Sequence, residues 1–219
     1  MSTDKELGKW VAAYLSSQGL ETPIAKPIGM QGASLQDTIR LCQGHIMNAL
    51  GLNITDDSLR ESPQRVAKMY CEELFKGLDY DTFPKCTTVE NKMQHDELII
   101  VHDADVLSMC EHHFVPFVGS ACVGYIPRTK VLGLSKIPRV VDFFSRRPQI
   151  QERLTAQIHA ALSYILKTDD VAIVIKAEHM CMRLRGVKQA SSYTTTSKMS
   201  GRFMDKPALR EEFLTLTRK

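Results

Sequence analysis

No stretch of this chain reaches the roughly 18 consecutive apolar residues that a membrane-spanning helix needs, and no run of five like charges occurs. The first absence leaves no candidate membrane segment. The second, together with a formal net charge of only +3, gives no sign of a nucleic-acid-binding tail. Internal repeats and low-complexity tracts are also missing, so neither a fibre nor a disordered chain is indicated. A secretory leader is lacking too, and the six cysteines are widely scattered. That pattern suits free or metal-bound thiols in a reducing compartment, and a cytoplasmic location is expected. What is present is ordinary globular composition: 43% hydrophobic and 24% charged residues over 219 positions, enough for one large domain or two small ones.

The first 95 residues read as mostly helical. Trp10, Val11, Tyr14 and Leu15 recur at helical spacing among polar neighbours. A connector rich in proline and glycine follows at 21–32. A second helix runs from Leu35, with Ile39, Leu41, Ile46 and Leu50, to Gly51. Pro63 at a first helical position opens a third, which ends near Gly77, and 78–95 reads as loop. The composition changes at Glu97. Residues 98–101 and 114–126 are rich in β-branched and aromatic side chains and read as strands flanking a turn. Ser135 is a plausible cap for a helix through Ser145, and 149–167 carries Ile150, Leu154, Ile158, Leu162 and Ile165 at three and four spacings. Residues 171–181 and 191–197 return to strand character, and 207–217 forms a last helix. This order predicts an α+β chain, with a helical region over 1–95 and a catalytic domain over 96–219.

Chemistry concentrates in the turn between the first two strands, Cys110-Glu111-His112-His113. Side chains alternate on a strand, so Cys110 and His113 reach one point only if the chain turns tightly. Thiolate and imidazole are donors that zinc prefers, and a third is required. If the strand over 171–181 stays regular, His179 and Cys181 share one face, which supplies the third donor in Cys181 and a nearby imidazole in His179. Two sulfurs and one nitrogen leave a position open for water, the catalytic arrangement, and no fourth ligand stands out. His112 points away from its neighbour and is available for proton transfer.

Five motifs in order carry a resemblance: Cys110-Glu-His-His-Phe114, Gly133-Leu-Ser-Lys-Ile-Pro-Arg139, Arg147-Pro-Gln-Ile-Gln-Glu-Arg-Leu154, His179-Met-Cys181 and Arg185-Gly186. With Asp57-Ser-Leu59 and Pro63-Gln-Arg65, they closely resemble GTP cyclohydrolase I from residue 35 to the C terminus. The resemblance implies the tunnelling fold, a four-stranded antiparallel sheet backed by two helices. It also implies a toroidal homodecamer with active sites at subunit interfaces. The implied reaction opens the imidazole ring of GTP, loses C8 as formate and yields 7,8-dihydroneopterin triphosphate, the first step of pterin and tetrahydrofolate synthesis.

The same resemblance gives roles to residues. Cys110, His113 and Cys181 look like ligands of one zinc ion, which would acidify a water. His112 resembles the acid that protonates the ring nitrogen, and His179 a partner in proton transfer. Glu152, with Gln151 beside it, resembles the reader of the guanine base. Lys136, Arg139 and Arg185 look like triphosphate ligands, with Arg65 joining from its helix start. Ser135 resembles the residue that assists rearrangement of the ribose. A long N-terminal regulatory extension is not seen, which fits a short, bacterial-type form. Two other readings stay open: a zinc-stabilised nucleotide-binding protein without turnover, and a relative that reduces a deazaguanine with a nicotinamide cofactor through a cysteine without zinc.

Overall fold

The computed structural model describes residues 2–24 and 33–218, so most of the proline- and glycine-rich connector at 21–32 lies outside the described residues. The helices are α1 (Lys5–Ser17), α2 (Ala33–Ala49), α3 (Ser62–Met69), α4 (Lys136–Ser145), α5 (Gln151–Leu166), α6 (Met180–Arg183), α7 (Arg202–Asp205) and α8 (Pro207–Leu216). The strands are β1 (Thr88–Glu90), β2 (Ile99–Cys110), β3 (Pro116–Tyr125), β4 (Lys130–Leu132), β5 (Pro148–Gln149), β6 (Val171–His179) and β7 (Thr194–Met199). The α+β class is as expected. Two compact units divide the chain: Met1–Glu21 with Gly77–Lys219, and Thr22–Lys76. The expected boundary after residue 95 falls inside the first of them.

The first unit is built on a five-stranded sheet in the order β5-β2-β3-β6-β7. Its four longer strands pair antiparallel, and the two-residue β5 runs parallel to the end of β2. Burial alternates along β6, where Val171, Ile173, Ile175 and Ala177 enter the core. Against them pack Val140, Val141 and Phe144 of α4 and Leu154, Ile158, Ala161 and Leu162 of α5. A smaller cluster of Ile126, Ala172, Met199, Phe203 and Phe213 is capped by α7 and α8. Gly119 lets β3 approach β6 closely, since a Cβ there would strike the Lys176 carbonyl and Ala177. Helix α1 begins at Asp4, whose carboxylate accepts the Leu7 amide at 3.0 Å, and buries Val11 and Leu15; Trp10 faces outward.

The second unit holds α2 and α3, followed by a π turn at Tyr70–Leu74. Gly51 ends the α2 segment at a φ of +75°. Met47 and Ala67 are buried in this unit, while Leu41, Ile46 and Leu50 are more than half exposed, at 53%, 54% and 72%.

Three elements differ from the sequence reading. Strand β2 runs to Cys110 rather than stopping at Val101, with a register shift between Val101 and Ala104. Residues 78–95 contain a 3-10 turn at Tyr80–Thr82 and strand β1. The strand expected through Cys181 ends at His179, because its partner β3 runs out at Pro116 and β7 pairs only as far as Ala177. Pro116 has no amide hydrogen with which to extend the ladder. The chain then turns into α6, so Cys181 sits on a helical turn instead of sharing a strand face with His179.

Candidate metal centre and active site

The turn after β2 is closed by backbone bonds. The Cys110 amide donates to the Val115 carbonyl and the Phe114 amide to the Cys110 carbonyl, both at 2.9 Å. Phe114 takes a left-handed φ of +52°, a conformation that costs about 1 kcal/mol for a residue with a side chain. The sharp reversal brings His113 back over Cys110. Helical turn α6 delivers Cys181 to the same point, and the three ligand atoms lie within 4.8 Å of one another. A tetrahedral zinc with bonds of about 2.0–2.3 Å holds its ligands about 3.6–3.8 Å apart, so this group accommodates zinc with a small closing movement. Two thiols and an imidazole also match zinc in chemistry. Burial and the neighbouring Cys110 thiol push the Cys181 thiol up, against the pull of Arg185. Arg185 also donates to His113 Nε2 at 2.8 Å.

His179 closes the end of β6 beside this group. Its ring stacks on Phe117 with centroids 4.6 Å apart, and its Nε2 lies 2.8 Å from the Gln151 side-chain oxygen. The amide nitrogen of Gln151 donates to the carbonyls of Ile175 and Thr194 and to Thr196 Oγ1, each at 3.1 Å. Those carbonyls only accept, so the amide cannot be turned over. Its oxygen must accept from His179, which therefore carries its proton on Nε2 and keeps a lone pair on Nδ1. Burial lowers the His179 pKa, opposed by the carboxylate of Glu152. Gln151 is itself buried, so its side chain holds His179 rather than standing open to a ligand.

Glu152 is exposed in the first turn of α5, where the helix dipole favours a carboxylate. Among the described residues it makes no hydrogen bond or ion pair. It lines a cavity of about 160 Å³ with Thr155, Thr196 and Lys198. His112 is exposed and its Nδ1 lies 3.9 Å from Cys110 Sγ. Two residues not singled out from sequence join the same site: Arg153 donates to Glu111 through both guanidinium ends, at 2.6 and 3.1 Å. Arg153 thereby holds the Glu111 carboxyl below its ordinary range. Their adjacent positions within two quoted motifs were the one signal available.

The other candidates stand elsewhere. Ser135 is exposed just before α4 and makes no capping bond with its side chain, so the cap role fails for lack of the bond that defines it. Lys136 and Arg139 lie half-buried in α4, close enough to Cys86 to favour its thiolate, although burial dominates and raises that thiol to about 11. Among the described residues no hydrogen bond or ion pair joins Ser135, Lys136 or Arg139 to the Cys110 group. Arg65 lies in α3, in the second unit.

Residues 42–218 match the family model described as GTP cyclohydrolase I. The chain is 54% identical over 204 residues to "GTP cyclohydrolase 1" of Aeromonas salmonicida (strain A449), covering 93% of each chain. It is 50% identical to the protein of that name from Vibrio cholerae serotype O1, covering 98% of each. Against the Yersinia pseudotuberculosis serotype O:1b protein of the same name it is 46% identical, over 100% of this chain and 99% of the other.

Proposed function

We infer that this chain, which belongs to the GTP cyclohydrolase I family, hydrolyses GTP to formate and 7,8-dihydroneopterin triphosphate. The observation that carries the site into this reading is the convergence of Cys110, His113 and Cys181 within 4.8 Å. These three hold one zinc ion, which when bound supplies the Lewis acidity that brings a water's pKa down toward neutrality.

The remaining steps belong to the chain's own groups. Glu152 accepts hydrogen bonds from N1 and the exocyclic amine of guanine and fixes the base, a role supported by its exposed carboxylate in the α5 first turn. His112 donates a proton to the imidazole-ring nitrogen as the C8 bond to it breaks, general-acid work that suits an imidazole side chain. His179, aligned by Gln151 and Phe117, takes and returns a proton at Nδ1. Gln151 serves this alignment, and only its neighbour reads the base. Arg185, Lys136, Arg139 and Arg65 neutralise the triphosphate, arginine through its fixed fork of donors. Ser135 lies near the ribose for the later rearrangement, which its exposed, uncapped hydroxyl supports.

The finer architecture is part of this proposal: a tunnelling fold, assembled as a toroidal homodecamer in which each site is completed by neighbouring copies. The four antiparallel strands with α4 and α5 packed on them support the fold. The exposed Leu41, Ile46 and Leu50 of α2 support assembly. No helix among the described residues is long and apolar enough to cross a membrane, and the enzyme is proposed to work in the cytoplasm on GTP, without nucleic acid.

The test is to incubate zinc-analysed protein with GTP and follow formate and, after oxidation, pterin fluorescence. Both products are expected from the wild type. GTP recovered intact beside a full complement of zinc would overturn the enzyme reading and leave a nucleotide-binding protein.

A further inference from the structure

The metal turn and the base-reading helix start are joined twice. The first joint is backbone: β5 pairs Gln149 with Cys110, and the Glu111 amide donates to the Gln149 carbonyl at 3.0 Å. The second is the fork of Arg153 on the carboxylate of Glu111, across 42 positions of sequence. Both side chains of the pair are largely withdrawn from solvent, at 17% and 22% exposure, which separates it from the screened pairs of the open surface. A two-bond fork also fixes orientation, which a single contact does not.

The neighbours of each partner give the joint its meaning. Glu111 stands between the ligand Cys110 and the pair His112-His113, so whatever holds its side chain holds the turn. Arg153 follows Glu152 and Gln151, which read the base and align His179. We propose that Glu111 and Arg153 are positioning residues: a strut that fixes the metal turn against the start of α5 and so sets the separation between the metal ligands and Glu152. Neither side chain touches the reacting atoms. The proposal rests on the GTP and zinc reading above. Groups held apart by a strut lose rate when it slackens, because misplacement of about 1 Å costs about a hundredfold. Residues that orient metal ligands from behind typically change metal affinity or activity by about ten- to a hundredfold when altered.

The experiment compares wild type with Arg153→Lys, Glu111→Gln and the reversed pair Glu111→Arg/Arg153→Glu. Zinc release to a colorimetric chelator, kcat and KM for GTP at saturating zinc, and the melting temperature are measured on each. Arg153→Lys keeps the charge and the stem but not the fork, and so preserves the folded chain. Expected are zinc release faster by about ten- to a hundredfold and a kcat lower by a similar factor, with KM changed less. The reversed pair is expected to recover part of both. Zinc release and kcat within about twofold of wild type in the single variants, whatever happens to melting, would overturn the strut and leave a merely structural ion pair. Zinc release does not depend on GTP, so a wild type that holds zinc but yields no formate defeats the GTP reading while the chelator arm still decides the strut. A wild type that binds no zinc overturns both.

Discussion

Strand β6 has an imidazole at each end, and the two could hardly be used more differently. At its start, His159 of α5 is buried, with Nε2 lying 3.1 Å from the Val171 carbonyl and 2.9 Å from Ser200 Oγ. Beside it Asp170 receives the Arg202 amide at 2.8 Å and the Arg202 and Arg128 side chains at 3.1 and 3.4 Å. Burial alone would raise that carboxyl, but these donors hold it below its ordinary range. At the far end, His179 also has a partner and a stacked ring, yet it adjoins two thiols, a second imidazole and an exposed carboxylate. Buried polar groups are normally satisfied by the protein. At the near end His159 and Asp170 both obey that rule, and they are structure. The far end leaves donors and acceptors turned outward, and it is there that a ligand has something to bind.

The comparison breaks first at the metal. Cys181→Ser is expected to lose both stoichiometric zinc and formate release, whereas His159→Gln should keep its zinc; metal analysis of the two purified variants checks this. The next effect is on the base. Glu152→Ala removes charged hydrogen bonds of about 1.5–3 kcal/mol, so kcat/KM for GTP should fall by about ten- to a hundredfold with zinc retained. Gln151→Leu follows, with kcat lower by about tenfold and the Ile175 and Thr194 carbonyls left without their donor, a loss of about 1–3 kcal/mol in urea unfolding.

Near neutral pH the smallest effect lies at the other end. Burial lowers the His159 pKa to about 4 from an ordinary 6.5, so the unfolded chain takes up the proton first as pH falls. The stabilisation from a neutral, buried His159 is therefore complete above pH 6.5 and is lost between there and about pH 4. The loss is under about 1 kcal/mol at pH 6 and up to about 3 kcal/mol at pH 4. Urea midpoints across this range should slope downward toward acid in the wild type and less steeply in His159→Phe.

The sequence revealed the far end better than the elements that build it. Cys110 and His113 were readable because three-residue spacing forces a turn on any metal-binding chain. Helix α5 was readable because a buried face repeats at three and four. Strand β2 was half hidden: His102, Asp103 and Asp105 break the apolar pattern, and Asp103 sits at a φ of +52° within the register shift. Cys181 does meet Cys110 and His113, but from a helical turn rather than from the strand expected, since strand parity assumed a partner that Pro116 withholds. Strand β5 has two residues and no periodicity to show, and the Glu111–Arg153 pair is a contact between distant positions. The roles expected of Lys136, Arg139 and Ser135 came from family resemblance alone, because a polar side chain that binds a ligand need show no pattern of burial in the sequence.

X-ray absorption at the zinc edge, on the protein with and without GTP, tests the central claim most directly. The account predicts one zinc per chain with two sulfurs at about 2.3 Å and a shell of nitrogen or oxygen at about 2.0–2.1 Å. The sulfurs should persist in the complex with GTP, and Cys110→Ser and Cys181→Ser should carry no stoichiometric zinc to give a spectrum. A zinc without sulfur neighbours, or one with four protein ligands that GTP leaves unchanged, would contradict it.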